Sequence, residues 1–154
     1  MVFVGACGGA HDAPIVDPAL SPALEVQADA QAHTAMPEGQ RVPGVLVGVA
    51  YATGQAMDWS VPLQRGRCYA FGYSTDTSIT KFAVAIWSPS GKRVDNPRVR
   101  SRGRPPEGVQ NLCAAEEGVY RVEGKVGAGA GHFAVVSYAT AGAPPVAAGR
   151  PPGP

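Results

Sequence analysis

Residues 119–126 read VYRVEGKV. Tyr120, Val122 and Val126 fall on one side of an extended chain, and Arg121, Glu123 and Lys125 fall on the other. A period of two with one apolar face marks a half-buried β-strand. The same period recurs in both directions. In RCYAFGYS (67–74) it gathers Tyr69, Phe71 and Tyr73. In TKFAVAIWS (80–88) it sets Phe82, Val84 and Ile86 against Ala83, Ala85 and Trp87. Both faces of that run are rather apolar, which predicts a central strand. GVLVGVAYA (44–52) and GHFAVVSYA (131–139) are further strand-forming runs, and residues 54–63 add one that Pro62 keeps off the centre of a sheet. TGQ, SPSG, EEG and GAGAG punctuate the runs as turns. No strong amphipathic helical stretch intervenes. The expected fold is all-β, an antiparallel, jelly-roll-like β-sandwich of about seven to nine strands.

Composition places this sandwich within the chain. The 154 residues suffice for one domain, and 20 Gly with 15 Pro are too many breakers for a helical bundle. A net charge of +1 gives no global argument for nucleic acid or an acidic partner. No apolar run approaches the ~20 residues of a spanning helix. Ten of the 15 Pro lie outside residues 44–140, whereas ten of the eleven aromatics lie inside. Residues 44–140 are therefore read as the domain and 141–154 as a disordered Pro/Gly-rich tail. Residues 8–43 are read as a Pro/Ala-rich linker, in which PALEVQADAQAHTAM (22–36) allows a short, frayed helix with little to bury.

The three cysteines are Cys7, Cys68 and Cys113. Cys68 lies off the face of Tyr69 and Phe71, and Cys113, following Leu112, falls on that same side. Two cysteines on one face of neighbouring strands predict a disulfide; the alternative is a pair of buried thiols. Metal ligation is not expected, because no CxxC occurs and the three histidines are scattered at 11, 33 and 132. Val4-Gly5-Ala6-Cys7 resembles a bacterial lipobox, in which an apolar residue and two small residues precede a lipidated cysteine. That resemblance implies residues 1–7 as the remnant of a signal segment, lipidation of Cys7 and a membrane anchor. Gly8, where an aspartate would retain the protein in the inner membrane, implies the outer membrane of a bacterial envelope, facing the periplasm or the exterior.

Three stretches together resemble the bacterial pre-peptidase C-terminal (PPC-type) β-sandwich domains. They are LQRGRCYAFGY (63–73), KFAVAIWSPSGKRV (81–94) and VQNLCAAEEGVYRVEGKVGAGAGHFAVVSY (109–138). The family's Tyr-x-Phe falls on Tyr69 and Phe71, its Pro-x-Gly turn on Ser88, Pro89 and Gly91, and its Gly-x-Tyr-x-Val on Gly118, Tyr120 and Val122. Lys81 and Phe82 stand where many members carry acidic residues, which removes the usual reason to expect calcium; Asp76 alone does not make a site. The resemblance implies a non-catalytic module of secreted or envelope proteins, some of which bind collagen or polysaccharide.

Residue chemistry adds little catalysis. GxSxG, HExxH, P-loop and EF-hand patterns are absent. The polar run Ser74, Thr75, Asp76, Thr77, Ser78 lacks a base unless His132 supplies one, and alternation with Phe133 puts His132 on the outer, solvated face of its strand. Glu116 and Glu117 read as a turn, and Asp58 beside Trp59 as a sugar site or as a core tryptophan with an exposed neighbour. The most distinctive cluster is Arg98, Arg100, Arg102 and Arg104, alternating between Pro97 and Pro105-Pro106. Extended by the prolines, the four forks project to one side and suit an anionic ligand, an acidic polysaccharide or an acidic envelope protein. The alternative is a solvated loop that keeps a sheet edge from aggregating. No stacking aromatics interleave with these arginines, so nucleic acid is not expected, and no cofactor is implied. The expected function is a non-catalytic, lipid-anchored or secreted envelope module with a binding or structural role. The alternatives are an accessory domain or inhibitor of a small secreted hydrolase, or an assembly subunit using its Pro-rich tail.

Overall fold

The computed structural model describes residues 20–50, 52–96 and 105–141. One helix, α1 (Leu20–Ala35), precedes seven strands: β1 (Gln40–Ala50), β2 (Ala56–Leu63), β3 (Cys68–Thr75), β4 (Ile79–Trp87), β5 (Glu107–Cys113), β6 (Gly118–Gly129) and β7 (Gly131–Ala139). They form two antiparallel sheets, a four-stranded one in the order β1-β7-β3-β5 and a three-stranded one in the order β2-β6-β4. The pairs nest: β3 with β5, β2 with β6, β1 with β7. Residues 92–96, beyond the β4 end, supply an innermost partner through an isolated bridge between Trp87 and Arg93. Nested pairing split over two sheets is the wrapped topology of a jelly roll, so the all-β sandwich read from the sequence is the fold.

The inward faces follow the period of two. Tyr69, Phe71 and Tyr73 of β3, Phe82, Val84 and Ile86 of β4, and Tyr120, Val122 and Val126 of β6 meet Phe133 and Val135 of β7 in one core. Cys68 and Cys113 stand opposite each other in the β3–β5 register and are disulfide-bonded.

Three expectations are corrected. The run 80–88 is not central: among the described strands β4 pairs only with β6 and forms the edge of its sheet, met on its open side by the isolated Trp87–Arg93 bridge. The Val94 N–H donates to the Ile86 carbonyl at 2.8 Å, and the Asp95 carboxylate accepts from the Ile86 N–H at 2.9 Å, so the following segment covers part of the open edge. The short helix allowed within 22–36 is present as α1, but it buries a face instead of fraying, and β1 begins at Gln40 rather than at Gly44. Leu24, Ala28 and Ala32, spaced by four, lie against Ala70, Ala134, Val136 and Tyr138 on the outer face of the four-stranded sheet. Gly72 makes this approach feasible, since a Cβ there would collide with the Ala28 carbonyl and the Ala32 nitrogen. His132 is not solvated. Its side chain is 17% exposed, with Nδ1 3.3 Å from Asp76 Oδ2. Cys7, the four arginines at 98, 100, 102 and 104, and the tail from residue 142 lie outside the described residues.

Candidate functional site

α1 packs on β3, β7 and β5, which leaves the outer face of β2-β6-β4 without a helix among the described residues. Strand alternation turns Met57, Trp59, Val61 and Leu63 towards the core and Asp58 and Ser60 outwards. Asp58 and Trp59 therefore do not share a site. Trp59 packs edge-on against Phe133, with ring centroids 5.9 Å apart. The tryptophan on the face of Asp58 is Trp87.

Register builds the rest. Arg121 of β6 lies opposite both Ser60 of β2 and Trp87 of β4, and Glu123 lies opposite both Asp58 and Ala85. The Arg121 guanidinium carbon sits 3.8 Å from the Trp87 ring centroid, and that of Arg93 sits 5.8 Å away. Arg121 Nη1 is 3.4 Å and 3.5 Å from the two Asp58 oxygens and 3.7 Å from Glu123. The Arg121 and Asp58 side chains are 46% and 51% exposed, so the pair offers a donor fork and an acceptor carboxylate to solvent. Around them a shallow cleft of about 470 Å³ is lined by Ser60, Trp87, Ser88, Pro89 and Val119 with Arg121.

Arg93 is anchored from behind. Its Nε and Nη2 donate to the two oxygens of Asp95 at 2.8 and 2.9 Å. Burial pushes the Asp95 carboxyl up. The Arg93 fork and the Ile86 N–H push it down, and the net position is below the ordinary carboxylate range.

The remaining candidates do structural work. Ser74 donates to Gln27 Oε1 at 2.6 Å and Thr75 to the Pro106 carbonyl at 3.1 Å. Asp76 accepts from the Ser78 N–H at 2.9 Å and the His132 N–H at 2.7 Å, tying the β3–β4 turn to β7. Glu116 accepts from the Ser90 hydroxyl at 2.7 Å. Among the described residues no three His, Cys, Asp or Glu side chains converge as metal ligands. The sequence pointed to Asp58 but missed Trp87, Arg93 and Arg121, which are brought together by register alone. No family model and no curated protein matches this chain, so the site is read from its own chemistry.

Proposed function

We propose that this chain is a non-catalytic envelope module that holds a hydroxyl-rich polysaccharide on the outer face of its three-stranded sheet. The observation that carries the reading is the Asp58–Arg121–Trp87 cluster on a sheet face that no described helix covers. A vicinal diol matches the pair, one hydroxyl donating to the Asp58 carboxylate and its neighbour accepting from the Arg121 fork. Val119, 57% exposed, and Pro89 add apolar surface for sugar C–H groups. Arg121 faces Asp58 and Glu123, and Arg93 faces Asp95, so the cleft is close to charge-balanced and favours uncharged sugars. An acidic polysaccharide would belong instead to Arg98, Arg100, Arg102 and Arg104.

The compartment rests on other residues. The Cys68–Cys113 bridge fits an oxidising compartment. The lipobox-like Cys7 supports a lipid anchor, and the PPC-type resemblance supports a polymer-binding role. Intact mass from the native membrane fraction tests the anchor: a chain beginning at Cys7 with acyl groups is expected, and an unmodified Cys7 would remove it. A panel of neutral and acidic polysaccharides tests the ligand. Binding that persists in high salt and weakens about tenfold or more in Trp87→Ala and Arg121→Ala is expected, roughly 1.4 kcal/mol each. Loss in Arg100→Ala with Arg102→Ala alone would move the site to the arginine segment. Absence of binding across the panel would leave a structural role.

A further inference from the structure

The Trp87 cleft continues past Val119. Val119 of β6 lies opposite Pro62 of β2, and both stand on the outer face of the three-stranded sheet. Beyond them a second cleft of about 370 Å³ opens, lined by Pro62, Gln64, Arg67, Glu117, Gly118 and Val119. Two contacts join it to the first. Val119, 57% exposed, is a wall of both. Pro89, which lines the first cleft, rests on Gly118 of the second, where a Cβ would come within 3.0 Å of the proline Cγ. Two residues of strand span about 7 Å, so one such step along β6 separates Val119 from Arg121.

The second cleft repeats the chemistry of the first. Its arginine is held by the protein: Arg67 Nε and Nη2 donate to the Thr140 carbonyl at 2.9 and 2.6 Å, and Nη1 donates to Gln64 Oε1 at 3.0 Å. An amide whose oxygen is taken still has its NH2 to donate, so the exposed Gln64 offers a donor and the exposed Glu117 an acceptor. One cation and one carboxylate line this cleft, so it is close to charge-balanced, as the first is. A ligand that fills both must repeat its hydroxyl pattern and run along a strand. We infer that the bound polymer is a neutral glycan of extended, equatorially linked pyranoses, whose successive sugars occupy the Trp87 cleft and the Gln64–Glu117 cleft across Val119. A chain with axial links, such as amylose, coils and leaves the line of the strand. The inference rests on the polysaccharide reading of the Trp87 cleft and adds to it a second subsite and a class of chain.

The test titrates the full chain with cellobiose and cellotetraose by calorimetry, with maltotetraose as the coiled control. Cellotetraose is expected to bind about tenfold or more tighter than cellobiose, because its second half meets the second cleft while already tethered in the first. Gln64→Ala with Glu117→Ala changes two exposed side chains outside the core. That double variant is expected to reduce cellotetraose to the affinity of cellobiose and to leave cellobiose unchanged. Trp87→Ala is expected to weaken both. Equal affinity for the two lengths, or indifference of cellotetraose to the double variant, would overturn the second subsite and leave the Trp87 cleft standing. Maltotetraose binding as tightly as cellotetraose would overturn the extended chain. No binding of cellotetraose would overturn the inference outright, and the polysaccharide panel would then decide the Trp87 cleft by itself.

Discussion

Gly72 shows how much one missing methyl group controls. It sits in the middle of β3, where a glycine weakens a strand, yet its backbone is what α1 rests on. Gly72→Ala forces the helix away from the sheet and is expected to cost about 1–3 kcal/mol, read as a lower urea midpoint with an unchanged slope. Asp95 makes a second prediction at this scale. Its carboxyl titrates lower in the folded protein than in an unfolded chain, so the unfolded state binds the proton more readily. That contribution to stability is complete above the ordinary Asp range and is lost as pH falls through the lowered folded value. Stability is expected to decline below pH about 4, and Asp95→Asn is expected to flatten part of that decline. An acid titration of the unfolding midpoint for both proteins checks it. At this scale the sequence was informative where a side chain announces its own environment, as Tyr69, Phe71, Tyr120 and the cysteine pair do. It was silent where a contact depends on a side chain that is absent, as at Gly72, or on a neighbour 34 residues away, as for Trp87 and Arg121.

Among the elements, α1 and β4 departed from expectation for one reason. Periodicity reports which face of a segment is apolar, not what comes to lie beside it. α1 has a narrow seam of Leu24, Ala28 and Ala32, too slight to read as amphipathic, but small residues on both surfaces allow close packing. Polar contacts secure its flank: Tyr138 donates to Asp29 at 3.0 Å, and Arg41 pairs with Glu25. β4 looked central because Ala85 and Trp87 are apolar on its second face. There Trp87 instead lies beneath the Arg121 guanidinium, an arrangement that needs the β6 register to be seen. The helix gives the prediction that belongs here. Ala32→Glu places a carboxylate in a contact that is fully buried, and α1 is expected to undock at a cost of about 2–4 kcal/mol. Hydrogen exchange should accelerate in α1 and along the outward-facing residues of β3 and β7, while β6 amides stay protected. Equal acceleration in β6 would mean that the sandwich cannot stand without its helix.

In the whole molecule, the two sheets share one core, and no described segment has an apolar cluster that would hold the three-stranded sheet by itself. β5, an edge strand, is held by its ladder to β3, by α1 and by Leu112 in the core, and also by the Cys68–Cys113 bridge, which spans 45 residues of sequence and so encloses β4 and its long connection to β5. In the chain-entropy account a loop of that length stabilises the folded state by about 3–4 kcal/mol. Reduction is therefore expected to lower the thermal midpoint by on the order of 10 °C. A shared core further requires that the loss be felt in both sheets at once. The two tryptophans make this measurable: Trp59 lies between the sheets against Phe133, and Trp87 lies outside. In Trp87→Phe the fluorescence reports Trp59 alone. Its unfolding curve is expected to coincide with the far-ultraviolet circular dichroism curve, both with and without reductant. If reduction shifted the dichroism and left Trp59 unmoved, β5 would be peeling away from a sandwich that stays closed. The bridge would then staple one edge rather than stabilise the fold.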